Sequence, residues 1–117
     1  MIDQSTQHKD FQFTIAGKVY TVPAAVFVEA TKDVTATKWH DKDKNCLFAA
    51  KEAFFKSINA IYYLDDSRSF RHTLHIDGVL VWVDYWKDRA KENLMANLFE
   101  SLADYIYEIG IISKPLN

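Results

Sequence analysis

Residues 41–52 read Asp-Lys-Asp-Lys-Asn-Cys-Leu-Phe-Ala-Ala-Lys-Glu, which sets side-chain oxygens at Asp41, Asp43, Asn45 and Glu52. Oxygens at alternate positions, closed by a later carboxylate, suit a hard cation such as calcium. The same residues also suit the start of a helix, where each carboxylate near the positive end of the dipole contributes about 0.3–1 kcal/mol. Cys46 falls in the first turn of that helix, where free N–H groups lower a thiol pKa, and His40 is near enough in sequence to act as a base. A nucleophilic cysteine also needs an orienting partner and an oxyanion site, and the sequence offers neither. Cys46 therefore reads as a small buried apolar residue. Asp41 and Asp43 with Asp65 and Asp66 are the residue types of a metal-dependent nuclease. A helix of about 20 residues between the two pairs holds them roughly 30 Å apart, so one chain cannot bring them to shared ions. His72 and His75 are three apart on a strand and point to opposite faces, so they cannot ligate one metal together.

The 41–52 segment resembles the calcium loop of EF-hand proteins. Asp41, Asp43 and Asn45 match its first, third and fifth positions, Glu52 its twelfth, and Phe48 an apolar position. The resemblance implies a calcium-responsive module. It departs from the family at Cys46, where a glycine makes the sharp turn, and at Ala49, which has no oxygen. Val34 to His40 do not read as an entering helix. The alternative is an acid-rich cap, with a helix from about Lys44 carrying Glu52 two turns inside it.

The element with most information is residues 69–86. Asp77-Gly78 between two β-rich runs is a strong hairpin signal, because a type I′ turn needs positive φ at both central residues. Pairing outward sets Ile76 against Val79, Leu74 against Val81, His72 against Val83 and Phe70 against Tyr85. The other face then pairs Thr73 with Trp82 and Arg71 with Asp84, and also carries Leu80, His75 and Trp86. Both faces are apolar, so something covers the second one. A partner is one candidate, since exposed aromatic patches mark interaction sites. A lid made by residues 24–40, with Val26, Phe27 and Trp39, is another. A small apolar ligand held between that lid and the sheet is a third, with Phe27 and Trp39 above and Arg71, Asp84, Thr73 and His75 supplying polar groups.

Residues 11–22 read as a first hairpin turning at Gly17, with Phe11, Phe13, Ile15, Tyr20 and Val22 on one side. Pro23 opens a short helix over 24–32, and 33–40 are extended or loop. Leu47, Phe54, Ile58, Ile61 and Tyr62 recur at helical spacing and predict a helix over 44–63. Asp88 caps a final helix striped by Leu94, Leu98, Leu102, Tyr105, Ile106 and Ile109, ended by Gly110. The expected fold is α+β, in the order ββ(α)αββα. An antiparallel four-stranded sheet, made of two hairpins, carries two long helices on one face.

The chain has 117 residues, enough for one domain, read as residues 11–117 behind a mobile polar leader at 1–10. A net charge of −2 with scattered lysines excludes a phosphate-backbone binder. One cysteine excludes an internal disulfide and fits a reducing compartment. No secretory h-region and no run long enough to span a membrane is present, so a cytoplasmic protein is expected. No catalytic motif is recognisable, and no cofactor is implied. The leading expectation is a binding protein, a homodimer joined through Leu80, Trp82, Trp86, Thr73 and His75. A small-molecule binder or minor enzyme with a pocket under residues 24–40, and the calcium module, are the alternatives.

Overall fold

The computed structural model describes residues 8–65, 71–85 and 93–116. Within them the order is β1 (Phe11–Ile15), β2 (Lys18–Val22), α1 (Ala24–Thr31), α2 (Lys42–Ser57), β3 (Ala60–Asp65), β4 (Arg71–Ile76), β5 (Val79–Tyr85) and α3 (Leu94–Glu108). The α+β class holds, but the single four-stranded sheet does not. The strands form a two-stranded sheet, β1–β2, and a three-stranded sheet, β3–β4–β5.

Both hairpin turns are as the sequence predicts. Ala16-Gly17 and Asp77-Gly78 each hold two consecutive positive φ angles, the type I′ pattern that matches strand twist. In the first hairpin Phe11 pairs with Val22 and Phe13 with Tyr20, and Phe11, Ile15 and Val22 are buried as expected.

The helix expected over 44–63 ends at Ser57, and the residues read as its last turn form β3. Asn59 takes the left-handed conformation at φ 55°, a role asparagine fills after a helix. Its side chain donates to Asp77 Oδ1 at 2.8 Å, and its carbonyl accepts from the Asp77 N–H at 3.0 Å. The helix end is thereby tied to the β4–β5 turn, and β3 is launched along β4. That strand takes the place beside β4–β5 that the first hairpin was expected to hold.

The second correction is in register. Ile76 pairs with Val79 and His75 with Leu80, but Leu74 pairs with Trp82, His72 with Asp84 and Arg71 with Tyr85. Val81 is the extra residue of a bulge, and beyond it every β5 side chain changes face. The expected Thr73–Trp82 and Arg71–Asp84 pairs are not formed.

One core joins the elements. Phe11 lies 5.7 Å from Phe27, 5.3 Å from Phe54 and 5.1 Å from Tyr105, ring centre to ring centre. Each fully buried Phe contributes on the order of 1.5–3 kcal/mol. The helix α1 packs chiefly on α2, which also meets α3 and β3. Asn93, rather than Asp88, caps α3, its side chain accepting from the Ala96 N–H at 3.1 Å. Asp88 lies outside the described residues. At the other end Gly110 is left-handed, its N–H donates to Tyr107 O and the Ile111 N–H to Ile106 O, a Schellman motif.

Candidate functional site

The three-stranded sheet has an inner and an outer face. The inner rows are Ala60–Ile76–Val79 and Tyr62–Leu74–Trp82. Leu74 and Ile76 are core, and Tyr62 and Trp82 pack against it. Tyr62 stacks between Phe55 and His72. The bulge therefore puts Trp82, expected at the centre of an exposed patch, on the core side. Among the described residues its buried indole N–H has no hydrogen-bond partner. Trp86 lies outside the described residues.

The outer rows are Ile61–His75–Leu80 and Tyr63–Thr73–Val83. Leu80, Thr73 and His75 are here as the sequence predicts; Ile61, Tyr63 and Val83 are additions. Ile61 is 53% exposed, Tyr63 48% and Leu80 50%. These are high values for large side chains on the face of a sheet whose other side is core. Thr73 is only 6% exposed, hemmed in by its neighbours on the same face. The His75 ring meets Tyr63 edge to face at 5.4 Å, and its buried Nδ1 has no hydrogen-bond partner among the described residues. Neither of these rows carries a carboxylate, ammonium or guanidinium; the next row of the same parity, Asp65–Arg71–Tyr85, carries two formal charges. Over these two rows the surface is apolar, with an imidazole at its centre. It suits contact with another apolar surface.

Residues 24–40 do not lid this face. Phe27 is wholly buried against Phe11 and Tyr105, whereas Trp39 is 78% exposed with the Lys38 ammonium 4.9 Å from its ring centre. Phe27 and Trp39, expected to line one pocket, are thus in different surroundings. Arg71 and Asp84 stand opposite Tyr85 and His72 instead of each other.

The calcium reading is also corrected. Asp41 is the N-cap of α2 and accepts from the Lys44 N–H at 2.8 Å. Asp43, Asn45 and Glu52 all sit within the continuous helix. Asp43 and Asn45 then point about 200° apart, and Glu52 lies some 16 Å along the axis from Asp41. Asn45 donates to the Thr35 and His40 carbonyls, and Glu52 pairs with Lys51 at 3.1 Å. Among the described residues, no three His, Cys, Asp or Glu side chains gather where they could hold a metal. The acid-rich cap is the arrangement observed. Asp65 ends β3 opposite Arg71, and Asp66 is outside the described residues.

Cys46 is buried, and that burial pushes its thiol pKa up, Lys42 opposing and Asp43 adding to the rise. It is the thiol of a core residue, not an activated nucleophile. A polar hollow of about 690 Å³ between the chain before β1 and α3 contains Tyr105, whose hydroxyl donates to Lys9 O at 2.8 Å. Burial, then Asp10 and Glu108, push that phenol up to about 12, so it stays protonated and supplies no base.

Among the described residues no helix is long and apolar enough to cross a membrane. Comparison with protein families, with curated proteins and with solved structures finds no match. The outer face of β3–β5 is the candidate site on its own geometry.

Proposed function

We propose that this chain is a small soluble interaction protein that performs no chemistry and self-associates through the outer face of β3–β5. The observation that carries this reading is the half-exposure of Ile61, Tyr63 and Leu80 on one face, around Thr73 and His75. A second copy fits because the two rows nearest the β4–β5 turn bear no formal charge, so these parts of identical faces meet without like-charge repulsion. A two-fold axis lying in the interface and parallel to the strands would set each row against the same row of the second copy.

Size sets the strength. Three strands about 4.8 Å apart and six residues long at about 3.3 Å each give a footprint of roughly 300 Å². Standard stable interfaces bury about 800 Å² per partner. Association is therefore weak and concentration-dependent. Sedimentation equilibrium over a wide concentration range tests it: the wild type gains mass as concentration rises, and Leu80→Glu stays monomeric with an unchanged far-UV spectrum. A wild type that remains monomeric throughout would remove the basis of the reading.

A further inference from the structure

We infer that a cleft between α2 and the C-terminal end of the described chain is a binding site for a small organic acid with an apolar body, such as an aryl-alkyl carboxylate. The cleft has a volume of about 330 Å³ and is lined by His40, Lys44, Leu47, Phe48, Phe99 and Leu116. It is separate from the outer sheet face.

The lining divides into two parts of different chemistry. Leu47, Phe48, Phe99 and Leu116 make an apolar floor, with Phe48 and Phe99 edge to face at 5.9 Å. An open aromatic floor of this kind receives a ring or short alkyl chain. The volume lies near the lower end of small-molecule sites, about 300–1,000 Å³, and limits the guest to roughly one ring and its tail.

The rim is polar, and its positive charge is the Lys44 ammonium. His40 leans on Phe48 at 5.2 Å, and Lys44 projects from the first turn of α2. Lys51, two turns further along the same helix face, places its ammonium 5.9 Å from the Phe99 ring centre. Helical geometry keeps Lys44, Leu47, Phe48 and Lys51 on one face and turns Asp43 about 100° away from Lys44. The Asp41 carboxylate is engaged by the Lys44 backbone N–H. Glu52 lies on the flank of the face and is paired with Lys51. Lys44 itself makes no ion pair among the described residues. The positive end of the α2 dipole adds to this rim. An apolar floor with positive charge at one end matches a guest with an apolar body and one carboxylate.

The test is an NMR titration of the full chain with 3-phenylpropionate, compared with the neutral 3-phenylpropanol. Two variants with the same change in net charge accompany it. Lys44→Gln removes the rim charge; Lys42→Gln removes a charge about 160° around the helix from it. The expected result is saturable shifts centred on His40, Lys44, Phe48, Phe99 and Leu116, with weaker binding of the alcohol. Lys44→Gln lowers affinity about three- to tenfold, the loss of one partly exposed charge contact. Lys42→Gln leaves it unchanged. Absent or scattered shifts, equal binding of the alcohol, or equal effects of the two variants would overturn the proposal.

Discussion

The bulge at Val81 decides which aromatic residue is structural and which surface is free, and a pair of truncations isolates it. Trp82 and Leu80 are two apart, so an unbroken strand would put them on one face. The bulge separates them: Trp82 joins Leu74 on the core side, and Leu80 joins His75 on the outer side. Complete burial followed by Trp→Ala costs about 3–5 kcal/mol. Trp82 is partly exposed and its indole N–H has no partner to lose, so about 2–3 kcal/mol is expected on that scale. Leu80 is half exposed and meets no core, so Leu80→Ala should cost under about 1 kcal/mol. In a chain of 117 residues that difference separates the two melting temperatures by roughly 5–10 °C. Urea and thermal unfolding at low protein concentration, followed by circular dichroism, read both values free of self-association. Equal losses, or a larger loss at Leu80, would refute the bulged register and return Trp82 to the surface.

Three further outcomes follow from local geometry. Ala16 holds φ 51° in the first β-turn, so Ala16→Asn, better suited to that position, should raise stability by about 0.5–1 kcal/mol in urea unfolding. Tyr105 has a folded pKa of about 12 against 10.0 for the free group, so its contribution is intact below pH 10 and is lost as pH rises toward 12. Tyr105→Phe should flatten that alkaline decline while costing about 0.5–1.5 kcal/mol at neutral pH for the hydrogen bond to Lys9. Asp41→Ala should cost about 0.5–2 kcal/mol through the lost cap, and millimolar calcium should leave the melting temperature of the wild type unchanged.

Much of the fold was legible where local chemistry dictates it. The two turns were visible through Gly17 and Gly78, the second preceded by Asp77, which tolerates positive φ, the first by Ala16, which is held there by the hairpin. The one-sided pattern of Phe11, Phe13 and Ile15 gave the buried side of the first hairpin, and Gly110 marked the end of α3. Two features were hidden for physical reasons. Ile61 and Tyr62 continue the helical spacing of Phe54 and Ile58, so β3 looked like more helix; Asn59, with the β-prone Ile-Tyr-Tyr run after it, was the signal that could have exposed the break. The bulge left no mark because Val79 to Val83 are all apolar. A one-residue slip normally sends polar side chains to the core, but here it exchanges one apolar residue for another. The candidate site was therefore half legible: Leu80, Thr73 and His75 were placed on the outer face, Trp82 was misplaced, and Ile61 and Tyr63 came with the unseen strand. The EF-hand likeness failed because residue types at matching spacing hold an ion only in a loop, and Asp41 caps a helix instead.

The central claim is that the outer face of β3–β5 is the surface through which copies meet. Amide and side-chain NMR spectra recorded along a dilution series test it most directly, because they report both whether association occurs and where. The account predicts concentration-dependent shifts confined to Ile61, Tyr63, Thr73, His75, Leu80 and Val83. Shifts clustered on the helices or on the β1–β2 hairpin, or spectra identical at every concentration, would contradict it.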